Sequence, residues 1–135
     1  MRLAYMICVV IAIVSAVHHI TMTDRILQYF DEEWMDKKKN EFLENPDLGE
    51  HSKITFMLFM LLLFNIFEWA ATIGFLKINL WLFAAALGLV TWEYLTSLGL
   101  KKQGITLWES PKMIWTKRII NIILLGIYCY VFSII

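Results

Sequence analysis

Apolar residues dominate four long stretches of the chain almost without interruption. Residues 3–20 carry no formal charge, and their strongly polar members are Ser15, His18 and His19. Residues 54–76 are charge-free apart from Glu68, and residues 78–100 apart from Glu93. Residues 119–135 hold no charged side chain. A helix of about 20 apolar residues crosses the hydrocarbon layer, so each stretch predicts a membrane span. Only Lys77 separates the second from the third, with Asn79 available as a helix cap, which predicts a tight antiparallel hairpin. A water-soluble helical core fits poorly, because runs this uniformly apolar leave no face for water to wet. The expected fold class is therefore all-α: a polytopic integral membrane protein of four transmembrane helices forming a single domain, residues 1–135.

The connections have patterns of their own. Between residues 24 and 43, Ile26, Leu27, Phe30, Trp34, Met35, Phe42 and Leu43 recur at steps that form one helical stripe among acids and lysines. Thr23 or Asp24 is placed to cap the start, and Asn45-Pro46 to end the helix. An amphipathic helix between spans is expected to lie in the interface, its stripe among the headgroups. Residues 101–118 carry Trp108 and Trp115 beside basic residues, an ordinary interface-anchor pattern.

Composition agrees with the pattern. Of 135 residues, 59% are hydrophobic and 18% charged, where a soluble domain carries about 25% charged residues. The net charge of zero argues against a nucleic-acid partner. The positions of the charges say more than their number. Arg2 and Lys77 fall on one side of the predicted topology, and the other ten Lys and Arg side chains fall in the loops 21–53 and 101–118. Loops rich in lysine and arginine stay cytoplasmic, so both termini are expected outside and both long loops inside. Val14-Ser15-Ala16 after an apolar run also resembles a signal-peptide cleavage site. Retention of the first span is the expectation, since a single arginine precedes a long run. Cys8 lacks the small residues expected before a lipidated cysteine.

Ionisable groups inside spans are the candidate chemistry, because an exposed acid at a helix centre costs roughly 2.5–3.5 kcal/mol. Each span has a polar stripe: Ser15, His18 and His19; Asn65, Glu68 and Thr72; Glu93, Thr96 and Ser97; Asn121 and Tyr128. At about 1.5 Å per residue, Glu93, His18, His19 and Asn121 fall in one layer toward the loop side, which allows Glu93 to pair with either histidine. Glu68 lies at a different level, nearer Tyr128. The layer suits a proton or ion pathway, or plain interhelical hydrogen bonding. A metal centre is disfavoured. Adjacent histidines diverge by about 100° around a helix, and neither H-E-x-x-H nor C-x-x-C is present. No nucleophile elbow or phosphate loop occurs either, so neither a metal nor an organic cofactor is expected.

Small residues mark close-packing faces. Ala4, Cys8, Ala12 and Ala16 repeat every four residues, with weaker versions in Ala70 and Gly74 and in Ala84 and Gly88. Cys8 and Cys129 fall at similar depth, so their helices could bring them together. The expected role is a membrane accessory, regulatory or immunity-type protein. Its partners would be the lipid bilayer and another membrane protein, a membrane-acting toxin or further copies of itself. The alternative is a proton- or ion-coupled carrier or lipid-handling enzyme that uses Glu68 and Glu93.

Overall fold

In the computed structural model, which describes residues 2–44 and 48–135, secondary structure is helical throughout and no strand occurs among the described residues. Helix α1 spans Arg2–Thr21, α2 Thr23–Tyr29, α3 Glu32–Glu44, α4 Leu48–Ile78, α5 Leu80–Lys102 and α6 Pro111–Ile134. A 3-10 turn at Leu107–Glu109 joins α5 to α6. Four of these helices, α1, α4, α5 and α6, are long and apolar enough to cross a membrane.

The α4–α5 hairpin forms as its sequence predicts. Asn79 is extended, and its side-chain oxygen accepts from Trp81 N at 2.9 Å, which satisfies one of the orphan donors opening α5. At the start of α6, Ser110 accepts from Met113 N at 3.4 Å, and Pro111 takes the first helical position, where its missing N–H is harmless. α6 thus begins eight residues before the predicted span at 119, so Lys117 and Arg118 lie within a helix. α4 also starts earlier than residue 54.

The predicted single helix over 24–43 is instead two. Thr23 does not cap; its hydroxyl donates to the carbonyls of His19 and Ile20 in α1. The break falls at Phe30-Asp31. One Asp31 carboxylate oxygen accepts from Glu33 N at 2.9 Å and opens α3, and the other accepts from the Trp108 indole at 3.0 Å. The two halves then diverge in environment. α2 buries Ile26 and Leu27, with Leu27 packing in a small core with Leu100 and Met113, whereas α3 buries nothing. The helix end expected at Asn45-Pro46 lies outside the described residues.

The long helices form a four-cornered bundle in which α1 packs most extensively on α6 and α4, and α5 completes the ring against α4 and α6. The main core joins Val9, Ala12 and Ala16 of α1 to Ala71 and Phe75 of α4 and to Ile120, Leu124 and Tyr128 of α6. The small-residue ridge of α1 works in its inner half. Ala12 and Ala16 are fully buried, while Ala4 is exposed and Cys8 half-buried. On α4 the close approach is at Gly74, where an added Cβ would overlap the Tyr5 ring; Tyr5 is held there by donating to the Ala71 carbonyl at 2.9 Å. Ala84 and Gly88 of α5 face away from the bundle, and a Cβ added at Gly88 would meet open space among the described residues. Cys8 and Cys129 are free thiols, with Cys129 exposed, so no disulfide joins α1 to α6. Besides their shared core, the two helices are linked at their ends by the Arg2 guanidinium, which donates to the Ile135 carbonyl just past α6.

Candidate functional site

A cleft of about 510 Å³ opens between α4 and α5, with α6 as its floor and His19 of α1 at one corner. Polar side chains line its depth. They are His19 of α1, Asn65, Glu68 and Thr72 of α4, Glu93 of α5, and Lys117, Asn121 and Tyr128 of α6. The rim on α4 and α5 is apolar and exposed, formed by Leu62, Trp69, Leu87 and Val90. Toward the hairpin end the tilted rings of Phe75 and Tyr128, 5.9 Å apart, close the bundle.

Helical spacing explains the lining. Lys117, Asn121, Leu124 and Tyr128 follow one another by four, three and four residues, so they form a single inward stripe of α6. Asn65, Glu68 and Thr72 share one face of α4, on which Thr72 is buried, Glu68 half-buried and Asn65 exposed. α5 contributes Glu93, but its companions Thr96 and Ser97 lie outside the cleft.

Two polar links flank the cleft, each tying neighbouring helices. Between α5 and α6, Lys117 Nζ donates to Glu93 Oε1 at 2.5 Å. The lysine side chain is 9% exposed and the glutamate 25%, so the pair is largely shielded from solvent. Between α1 and α4, Ser15 Oγ donates to Glu68 Oε1 at 2.6 Å. His19 extends this second link, its Nδ1–H donating to the Ser15 carbonyl at 2.8 Å. That bond assigns the proton to Nδ1 and leaves Nε2 as the other ring nitrogen of a side chain that lines the cleft. Lys117 and Glu93 are also within electrostatic reach of Glu68.

The expected pairing of Glu93 with a histidine does not form. Lys117 takes Glu93, because α6 continues helically through Lys117 and turns it inward. His18 and His19 part company, as adjacent helical positions must. His19 lines the cleft, whereas His18 packs edge-on to Phe64 at 5.7 Å, and its buried Nδ1 has no hydrogen-bond partner among the described residues. Glu68 bonds to Ser15 rather than to Tyr128, although Tyr128 lines the same cleft and lies next to Thr72. Of the eleven polar residues in the predicted stripes, seven converge here: His19, Asn65, Glu68, Thr72, Glu93, Asn121 and Tyr128. His18 does not.

Lys117 and Trp69 escaped the sequence reading. Lys117 was assigned to a loop by its charge, yet it sits four residues before Asn121 and eleven before Tyr128; extending the stripe one turn back would have found it. Trp69 carried no such signal. Among the described residues, no group of three or more His, Cys, Asp or Glu side chains is arranged to hold a metal ion.

Comparison with known proteins returns no match to a family model, to a curated protein or to a solved structure.

Proposed function

We propose that this is a small polytopic membrane protein whose intramembrane polar cleft takes up a small polar or amphiphilic molecule, as a lipid-handling or ion-coupled protein built on Glu68 and Glu93. The observation that carries this reading is the cleft's construction: two carboxylates, a lysine and a histidine converge behind an apolar opening between two helices. Its volume lies within the usual 300–1,000 Å³ range of ligand sites. Polar residues at such depth are costly unless they face a bundle interior or a cavity. With the lysine-rich loops 21–53 and 101–118 in the cytoplasm and both termini outside, the cleft extends from the cytoplasmic side toward the bilayer midplane. Phe75 and Tyr128 then close it from the outer side. In this arrangement α3, which buries none of its residues, lies in the inner interface with Phe42 and Leu43 among the headgroups.

Native mass spectrometry of the intact chain released from membranes tests the reading. Wild type should retain an adduct of small-molecule mass. Leu87→Trp, which fills the mouth from an exposed rim position, should lose it while keeping its helical content. An adduct-free wild type, or an adduct indifferent to Leu87→Trp, refutes the proposal.

A second reading, a membrane accessory, regulatory or immunity-type protein that binds a larger membrane protein or a membrane-acting toxin, draws on a different observation. Ala84 and Gly88 present a small-residue face on α5 that none of the described residues covers, the kind of surface on which a helix from another protein packs closely.

A further inference from the structure

We infer that the head group admitted by the cleft is an ammonium, carried on an apolar tail; this rests on the binding role proposed above and names the class of molecule bound. The hydrogen-bonding inventory of the lining supports it. Several donors are engaged within the protein. Ser15 Oγ–H goes to Glu68, His19 Nδ1–H to the Ser15 carbonyl, Lys117 Nζ to Glu93, and an Asn121 amide N–H to the Lys117 carbonyl at 2.8 Å. These bonds leave accepting groups, the second oxygen of Glu68, Nε2 of His19 and the amide oxygen of Asn121, beside the donors of Asn65 and Tyr128 and the remaining N–H groups of Lys117, so the inventory accommodates an ammonium and the charge balance selects it.

Charge points the same way. Two carboxylates line the cleft against one lysine, and that lysine already contacts Glu93 at 2.5 Å. Glu93 is paired with Lys117, whereas among the described residues Glu68 is bonded to a hydroxyl and to no cation, so a bound ammonium supplies the counter-charge that stabilises its ionised form in a medium of low dielectric. A phosphate or carboxylate head would meet Glu68 with like charge. An ammonium supplies positive charge and several N–H donors together. Trp69 at the rim adds an aromatic face of the kind that attracts cations. Leu62, Leu87 and Val90 around the opening provide the apolar path along which a tail would leave the cleft between α4 and α5.

The test uses the full chain in dodecylmaltoside, titrated in parallel with dodecylamine, dodecanol, dodecanoate and butylamine, with adducts counted by native mass spectrometry. One dodecylamine should bind per chain. Dodecanol, dodecanoate and butylamine should each bind at least tenfold more weakly. Glu68→Gln should weaken dodecylamine binding at least tenfold, and Glu68→Asp should retain most of it. Helical circular dichroism of both variants reports that they are folded. Equal binding of dodecanol and dodecylamine, or indifference to Glu68→Gln, overturns the ammonium assignment while leaving a cleft that binds amphiphiles. Butylamine binding as tightly as dodecylamine overturns the tail. Failure of all four probes to bind wild type counts against the binding role itself.

Discussion

Lys117 and Glu93 are the residues at which a single change should matter most. Each offsets the other's desolvation, so removing one leaves a charge in a poorly solvated site, a loss that typically costs about 3–5 kcal/mol. Glu93 retains 25% exposure, which places the expected effect toward the lower end of that range. Lys117→Met should therefore lower the thermal unfolding midpoint of the purified chain clearly, by the equivalent of about 3 kcal/mol. The double variant Lys117→Met with Glu93→Gln should recover most of that loss, because no unpaired charge remains. Equal damage in the single and double variants would mean that shape, and not charge, is what the pair provides. The pair also shows what residue-level reading of the sequence can and cannot reach. Both acids within the spans were legible as interior groups, since each stands alone in an apolar run. The lysine was not, because beside Arg118 and near Trp115 it looks like an interface anchor until α6 is seen to start at Pro111.

At the scale of elements, the break between α2 and α3 was invisible to periodicity. Ile26, Leu27, Phe30 and Trp34 continue one stripe across it. The chain breaks there because Asp31 satisfies two distant demands at once, capping α3 and accepting from Trp108, 77 residues away. Asp31→Ala removes a helix cap, typically worth about 1 kcal/mol, together with a hydrogen bond to a charged acceptor. The expected result is at least a tenfold loss of hydrogen-exchange protection in α3, with α1, α4 and α6 unchanged. Persistence of α3 protection in Asp31→Ala would show that the helix is held by something other than its cap. The hairpin at Asn79 was legible for the opposite reason. Its signals are local: a lysine, a capping side chain and two apolar runs within a few positions.

For the whole molecule, the contrast between two small residues separates internal packing from an outward face. Ala12 is fully buried where α1 meets α4 and α6, so Ala12→Leu overpacks the bundle, with a typical cost of about 1–3 kcal/mol. Gly88→Leu meets open space and should leave the stability of the isolated chain unchanged or slightly raised, since leucine is the better helix former. If the α5 face binds a membrane partner, Gly88→Leu should abolish co-purification of that partner without altering the unfolding midpoint. Unaffected co-purification would remove the accessory reading from this face. Four helices of this length and apolarity followed from sequence alone, because the pattern that makes a span possible lies within each stretch: continuous apolar side chains, and a backbone that satisfies its own hydrogen bonds as a helix. Which helices adjoin, and hence which polar groups meet, was decided only in three dimensions. Association of apolar helices depends on close packing distributed over many contacts, and no single residue encodes it. The interlocking of Ala12, Gly74 and Tyr5 where α1 meets α4 brings Ser15 to Glu68, the packing of α5 on α6 brings Lys117 to Glu93, and together they turn the isolated acids of the sequence toward one cleft.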